Sequence, residues 1–147
     1  MQDKCNHNVE IGEIVSYRVW SARIFKFPRL VSLYASYIWE PHINKAELIT
    51  YNTTMDMTLK WPETAGFYSF KTFDLAEKLF LQQSLLFYNP ILLGSIYNWG
   101  EVIEHENGYR STHAAIKSLD YINLHPLNFV DSFETIDILR KIYKINA

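Results

Sequence analysis

The stretch Asn98–His113, which reads NWGEVIEHENGYRSTH, decides the predicted fold. It places two strand-like segments on either side of Asn107-Gly108, and this dipeptide is the strongest short-range signal of a two-residue hairpin loop. A type I′ loop at these two residues places His105 directly opposite Arg110. The stretch therefore predicts a β-hairpin of defined register, around which the rest of the fold is built.

Side chains alternate across a strand, so this hairpin sorts its residues onto two faces. The first face carries Trp99, Glu101, Ile103, His105, Arg110, Thr112 and Ala114. The second face carries Gly100, Val102, Glu104, Glu106, Tyr109, Ser111 and His113. Neither face is purely apolar, whereas a half-buried structural hairpin alternates cleanly between apolar and polar side chains. The polar line on the first face is either a functional cleft or a closed ion-pair network, and the sequence leaves both open.

Two functions fit such a hairpin. The first is a binding module whose polar cleft holds a small polar or anionic ligand or a protein partner, with the ligand-binding candidates Trp99, Glu101, His105, Tyr109, Arg110, Arg18 and Trp20. The second is an enzyme, a hydrolase or a transferase, in which His105 is the general base, Glu101 or Glu104 orients it, and Arg110 holds an anion. The first is preferred because no activated nucleophile or phosphate-binding loop accompanies the hairpin, and neither a cofactor nor a metal site is predicted.

Several motifs follow one another in an order that resembles a known family. They are Tyr17-Arg18-Val19-Trp20, Leu30-Val31-Ser32, Ile38-Trp39-Glu40-Pro41, Gly66-Phe67-Tyr68-Ser69 and the segment from Trp99 to Arg110. In this order the chain resembles small uncharacterised bacterial proteins, many of them actinobacterial, that share a Y-R-x-W opening, a W-E-P segment, a G-[FI]-Y-[AS] strand and a W-G-x-V-x-E-H-E-x-G-[YW]-R signature. The resemblance runs from about Val15 to Tyr121. It implies a shared fold and a shared site at the hairpin, and no particular activity.

The chain departs from this family pattern at two places. Relatives often carry cysteines after the W-E-P segment and before the G-[FI]-Y strand. Here the corresponding residues are Asn44–Glu47 and Glu63–Gly66, which include no cysteine. A metal or a disulfide at those positions is therefore not expected in this chain, and any function of the hairpin works without it.

Length and composition indicate an ordinary globular protein. The 147 residues predict a flexible N-terminus over residues 1–12 and a single α+β domain over residues 13–147. A net charge of −2 without a long basic run argues against nucleic-acid binding. The local basic stripe of Arg23, Lys26 and Arg29 is interpreted as a solvated loop.

Cellular location and assembly follow from weaker signals. The single cysteine, Cys5, excludes an internal disulfide and fits a reducing cytoplasmic environment. The chain shows neither a signal-peptide pattern nor an apolar stretch long enough to span a bilayer, so no membrane association is expected. Exposed aromatic residues and an edge strand leave a homodimer open.

The remaining pattern predicts a small, mainly antiparallel sheet that includes the Asn-Gly hairpin and packs with two helices. The predicted extended segments outside the hairpin are Ile14–Trp20, Leu30–Tyr34, Tyr37–Trp39 and Gly66–Phe70. A first helix begins at Asp74 and is ended by Asn89-Pro90. A second helix begins at Asp131 and runs to about Ile145.

Overall fold

The computed structural model describes residues 6–9 through their backbone, and residues 14–23, 28–33, 37–46, 66–84, 89–123 and 132–145. The elements in chain order are β1 (Asn6–Val9), β2 (Ile14–Arg23), β3 (Arg29–Ser32), β4 (Asn44–Lys45), β5 (Phe67–Phe70), α1 (Phe73–Ser84), β6 (Ile91–Glu104), β7 (Gly108–Asn123) and α2 (Ser132–Ile142). Within these ranges every strand pairing is antiparallel. The predicted α+β class, with an antiparallel sheet and two helices, is confirmed at this level.

The seven strands of the described ranges form one sheet, and four of them close a ring of pairings. β6 pairs with β2 on one side and with β7 on the other. β7 pairs with β5, and Tyr17 of β2 pairs with Phe70 of β5. The order β2–β6–β7–β5 therefore returns to β2, so the sheet curls back on itself and has an inner and an outer face.

The long strands β6 and β7 bend enough to form this ring because their register is interrupted. Register shifts occur between Leu93 and Gly94, between Ser95 and Ile96, and between Trp99 and Val102. Such bulges bend a strand and increase its local twist. At Gly94 the neighbouring strand comes so close that a Cβ atom would collide with the carbonyl oxygen of Ser118.

The inner face carries the larger part of the core and is covered by α2. Buried members of this cluster are Trp20, Ala22, Leu30, Trp39, Phe67, Leu92, Ile96, Ala114, Leu119, Ile136, Leu139 and Tyr143. The hydroxyl of Tyr143 accepts a hydrogen bond from the backbone N–H of Leu30 at 2.8 Å and donates one to the carbonyl oxygen of Trp39 at 2.7 Å. Burial raises the pKa of Tyr143 to about 12.

The outer face is covered by α1. Its buried residues Ala76 and Phe80 pack against Val19, Ile91 and Leu93 of the sheet. Successive residues of β2 thus alternate between the two cores, because Val19 belongs to the outer cluster and Trp20 to the inner one. Neither helix in the described part of the chain is long and apolar enough to cross a bilayer.

The predicted register of the hairpin is wrong. The N–H of His105 donates to the carbonyl oxygen of Gly108 at 2.8 Å, and Ile103 rather than His105 lies opposite Arg110. The two residues between this closing pair are Glu106 and Asn107, so the turn lies one position earlier than Asn107-Gly108. His105 and Arg110 still share a face. Arg110 lies opposite Ile103, and Ile103 and His105 are alternate residues whose side chains point to the same side of the sheet.

Glycine is required at position 108, but not for the type I′ turn that the dipeptide Asn107-Gly108 suggests. The glycines with positive φ in the described residues are Gly66 and Gly100, so Gly108 is outside the left-handed conformation that a type I′ loop needs. A Cβ atom on Gly108 would collide with the carbonyl oxygen of Ser69 and lie 2.7 Å from the ring of Tyr68. Close packing against β5, and not turn geometry, selects glycine here.

Trp99 does not lie on the predicted face. The bulge between Trp99 and Val102, with Gly100 at φ 86°, places Trp99 opposite His113. The two rings stack at an interplanar angle of 28° and a centroid distance of 5.7 Å. Trp99 therefore lies with His113 and not with His105 and Arg110, because an extra residue in a strand reverses the alternation beyond it.

Some sequence predictions fall on residues outside those described. They include the positions of Cys5, Lys26 and Asp131, and residues 63–65 of the segment Glu63–Gly66. The strand β1 falls inside the segment 1–12, where no strand was expected, and pairs with the end of β6.

Candidate functional site

Two members of the predicted site, His105 and Arg110, contact each other at the end of the hairpin. The Nε–H of Arg110 donates to Nε2 of His105 at 2.8 Å. Arg110 is buried, with 9% of its surface exposed. Tyr68 lies opposite Arg110 in the sheet, and its ring centroid is 6.2 Å from that of His105. The imidazole nitrogen that would act as a general base is thus engaged by a guanidinium N–H.

Glu104 and Tyr109 form a separate group at the same end of the hairpin. They lie opposite each other across the two strands. The ammonium group of Lys71 is 2.8 Å from a carboxylate oxygen of Glu104 and 5.5 Å from the ring centroid of Tyr109. Since the pair is partly exposed, its contribution to stability is on the order of 1 kcal/mol or less.

Glu101 does not join His105 and Arg110. It lies in the bulge, its side chain is exposed, and its backbone N–H donates to the hydroxyl of Thr112 at 3.1 Å. That hydroxyl is also 2.8 Å from Nδ1 of His113. The predicted Glu101–His105–Arg110 line is therefore interrupted by the bulge at Gly100.

Arg18 and Trp20, also predicted site residues, lie on the inner face of the ring. Ser16, Arg18 and Trp20 occupy alternate positions of β2 and so share a face, and Trp20 belongs to the inner core. The outward side of the same strand carries Tyr17 and Val19. The structure therefore places Arg18 on the opposite face of the sheet from the outer core that α1 covers.

The guanidinium group of Arg18 is held by neutral partners. Nη1 donates to the carbonyl oxygen of Tyr68, and Nη2 donates to the hydroxyl of Ser32 at 3.0 Å. The guanidinium carbon lies 4.8 Å from the ring centroid of Trp39, in the geometry of a cation–π contact. The indole N–H of Trp39 donates to the same Ser32 hydroxyl at 3.0 Å.

No carboxylate accompanies this cation in the ranges the structure describes. The ion pairs of Lys71 with Glu104 and of Arg140 with Asp137 do not involve Arg18. Nε of Arg18 is buried and has no hydrogen-bond partner. Desolvation by burial lowers the pKa of Arg18 to about 10, partly offset by Tyr37. The side chain is therefore cationic at neutral pH, without a counter-charge.

Aromatic side chains surround Trp39, on which Arg18 stacks. Trp20 and Tyr37 meet it edge to face, with centroid distances of 5.7 and 6.0 Å. Phe67 lies 4.9 Å away in a tilted arrangement. Edge-to-face contacts of this kind hold rings in fixed relative orientations. Arg18 thus lies against a rigid aromatic wall.

A polar network continues along the inner face at the level of Ser16. The side-chain amide of Asn98 donates to the carbonyl oxygen of Ile14 at 2.8 Å and to the hydroxyl of Ser16 at 2.6 Å. The Ser16 hydroxyl in turn donates to that of Ser69 at 2.6 Å. The Ile14 carbonyl fixes the orientation of the Asn98 amide, because a carbonyl oxygen can only accept.

Buried polar atoms without a partner are concentrated along this face. In the described residues they are Nε of Arg18, Nε1 of Trp20 and Oδ1 of Asn98. Most buried polar atoms in proteins have a partner, and each exception calls for an explanation. Here the exceptions are two donors and one acceptor on the same face of β2 and β6, with Asn98 opposite Ile14, four residues from Arg18 and six from Trp20 along β2.

Tyr68 connects the two candidate regions. Its carbonyl oxygen accepts the hydrogen bond from Arg18, while its ring packs beside His105. The remaining predicted residues are not brought together with Arg18: Trp99 stacks on His113, and Glu101 is exposed in the bulge.

Arg18 and the residues that form the contacts described above on the inner face are called the inner site. Sequence reasoning missed three of them, namely Ser32, Trp39 and Asn98. Trp39 is fully buried in the core, and its ring also carries the Arg18 guanidinium. A sequence signal existed only for the β2 residues, whose alternation places Arg18 and Trp20 on one face. Within the described ranges, no group of three or more His, Cys, Asp or Glu side chains is placed to hold a metal ion.

The chain matches no protein-family model, no curated protein and no solved structure in the comparisons. The resemblance to small bacterial proteins with the W-G-x-V-x-E-H-E-x-G-[YW]-R signature thus stays a prediction from the motifs.

Proposed function

We propose that this protein is a binding module for a small anionic ligand, and that Arg18 is the residue that binds the anion. The observation that carries the proposal is the uncompensated charge of Arg18. The Arg18 side chain is partly buried, and a charge that is taken even partly out of water is normally paired, since desolvation of an ion is unfavourable. Arg18 has neutral partners, and its Nε–H is buried without one. An anion at this position would supply the missing partner.

The guanidinium group is suited to this role. It has five N–H donors in a planar fork that matches carboxylate and phosphate oxygens. Its stacking on Trp39 and its bond to Ser32 fix the plane of the fork before a ligand arrives. Preorganisation of this kind reduces the entropy that is lost on binding. The proposal moves the anion-binding centre from the hairpin cleft to the inner face, and the ligand roles of Trp99, Glu101, His105, Tyr109 and Arg110 stay predictions.

The alternative function, an enzyme with His105 as general base, has less support. Nε2 of His105 accepts the N–H of Arg110, and Glu101 is not beside it. A base in this position would first have to exchange its guanidinium partner for a substrate proton.

The test is ligand-induced stabilisation of the wild-type protein by acetate, benzoate and inorganic phosphate, compared with Arg18→Met and Arg18→Lys. Arg23→Met is the matched control, because Arg23 lies on the same strand and is exposed. We expect at least one anion to stabilise the wild type and Arg23→Met, with about 2.7 kcal/mol at a hundredfold excess over Kd. Arg18→Met should lose this effect. Arg18→Lys should weaken it, because lysine lacks the planar fork.

Two results would overturn the proposal. One is equal stabilisation of the wild type and Arg18→Met, since Arg18 then does not bind the anion. The other is the absence of any anion effect on the wild type together with unfolding of both Arg18 variants. Arg18 would in that case be a purely structural cation.

A further inference from the structure

The outward side of helix α2 carries apolar as well as charged side chains. Phe133 is 80% exposed and Ile138 is 40% exposed, whereas Ile136 and Leu139 on the opposite side of the helix belong to the inner core. A single exposed apolar residue is common on protein surfaces, but here two large ones lie within two turns of one helix. This side of α2 therefore offers apolar surface to a partner.

The charges on the same side are segregated along the helix. Glu134, Ile138 and Lys141 have the spacing i, i+4, i+7, which places them in one row along an α-helix. All three are exposed, so the row runs acidic, apolar, basic from its N-terminal to its C-terminal end. The helix dipole favours this order of charges. It gives no reason for the isoleucine between them or for Phe133 beside Glu134.

Such a row is complementary to a second copy of itself. In an antiparallel pair of α2 helices with a two-fold axis near Ile138, Glu134 of each copy faces Lys141 of the other, because these residues are four positions before and three positions after Ile138. The two isoleucine side chains then meet at the axis. A parallel pair would instead place each charge beside its own copy, and like charges across an interface are unfavourable.

The neighbouring residues are compatible with this arrangement. Phe133 precedes Glu134, so its ring faces the last turn of the second helix, where the aliphatic part of Lys141 provides apolar surface and its ammonium group is attracted to the ring. Asp137 lies near the axis and faces its own copy, but Nη1 of Arg140 is 3.4 Å from its carboxylate within the same helix. The charge of Asp137 is thus partly compensated where the two copies approach each other.

We propose that α2 is the interface of an antiparallel homodimer, in which Glu134 of each copy pairs with Lys141 of the other around a contact between the two Ile138 side chains. A helix of 11 residues is about 16 Å long, so one of its sides is small against the roughly 800 Å² per partner of a standard interface. The dimer is therefore weak, with a Kd on the order of 100 µM. The interface does not include Arg18, so this inference is independent of the proposed anion binding.

The experiment measures association of the full chain by sedimentation velocity from about 10 to about 500 µM, around the expected Kd. The samples are the wild type, Glu134→Lys, Lys141→Glu and an equimolar mixture of these two variants. Each reversal places like charges opposite each other twice in a homodimer, so each variant alone should associate at least about tenfold more weakly than the wild type. In the mixed dimer both positions have opposite charges again, and the mixture should associate within about threefold of the wild type. Glu77→Lys, an exposed reversal on α1, is the matched control and should associate like the wild type.

Phe133→Ser tests the apolar part of the interface. Because Phe133 is 80% exposed in a single copy, its replacement should leave thermal unfolding of the dilute protein unchanged. Association should nevertheless weaken by about tenfold, since an aromatic side chain at an interface contributes strongly to affinity. This variant also keeps the test decisive if a charge reversal weakens the helix itself.

Three results would overturn the inference. The first is a wild type that remains monomeric at the highest concentration. The second is equal association of the wild type, both reversals and Phe133→Ser, since the copies then meet through another surface. The third is a mixture that associates no more tightly than its separate components, because Glu134 and Lys141 then do not face each other between copies.

Discussion

Ser32 and Trp39 are joined by a hydrogen bond, and the same Ser32 hydroxyl also binds Arg18. The Ser32 hydroxyl accepts the indole N–H of Trp39 and an N–H of Arg18, each at 3.0 Å. Both lone pairs of one oxygen are therefore used by buried donors. The hydroxyl is the common acceptor that holds the guanidinium group over the indole ring.

Replacement of Ser32 by alanine should leave both donors without an acceptor. We expect Ser32→Ala to lower the free energy of unfolding by about 1–3 kcal/mol, measured by urea denaturation. Ser21→Ala is a matched control, because Ser21 is on the same sheet and equally buried, with 8% exposure for each residue. The control should change stability by less than about 0.5 kcal/mol. Equal effects of the two substitutions would contradict the role of Ser32 as a shared acceptor.

Gly108 is predicted to be intolerant of any side chain. Gly108→Ala should destabilise the protein by about 1–3 kcal/mol, because the added Cβ would collide with Ser69 and the ring of Tyr68. Asn107→Ala, in the exposed turn beside it, should have little effect. Thermal unfolding of the two variants distinguishes close packing from turn geometry. If Asn107→Ala were the more damaging change, the turn would depend on Asn107 and the packing explanation would be wrong.

Much of the local structure could be predicted because it depends on nearby residues. The alternation in Ile14–Trp20 corresponds to β2, and Gly66–Phe70 contains β5. The helix expected from Asp74 begins one residue earlier, at Phe73. In each case the element is determined by the spacing of hydrophobic residues and by capping residues, which lie within a few positions of one another in the chain.

The ring and the inner site could not be predicted in the same way. The ring closes through the pairing of Tyr17 with Phe70, and the site depends on Trp39 reaching Arg18. These contacts join segments that are distant in sequence, and no short pattern encodes them. The dipeptide Asn107-Gly108 gave the wrong register because Gly108 is selected by packing against β5. Alternation alone was enough to predict that Arg18 and Trp20 share a face of β2, while their roles in binding stay predictions.

The contact between His105 and Arg110 is predicted to be structural in part. His105→Ala should remove the acceptor of a buried guanidinium N–H and cost about 1–3 kcal/mol. His105→Gln should restore part of this stability by supplying another acceptor, and His42→Ala, at an exposed site, should be neutral. Chemical denaturation measures all three. An unchanged stability of His105→Ala would mean that the pair contributes nothing to the fold and would favour a functional role.

Tyr143 should make the stability of the protein depend on alkaline pH. Burial raises its pKa from 10.0 to about 12, so the folded state keeps the phenol neutral at pH values where the unfolded chain loses the proton. The resulting stabilisation is fully present below pH 10 and is lost as the pH rises to about 12. Since one pKa unit corresponds to about 1.4 kcal/mol, the loss is on the order of 2–3 kcal/mol.

The measurement compares urea unfolding of the wild type and Tyr143→Phe across this pH range. At neutral pH the variant should be less stable, because the N–H of Leu30 and the carbonyl oxygen of Trp39 lose their partner. The other tyrosines titrate in both proteins, so the difference between the two isolates Tyr143. We expect that difference to shrink as the pH rises from 10 to 12. A difference that stays constant would show that the Tyr143 hydroxyl ionises equally easily in the folded and unfolded states, contrary to its burial in the inner core.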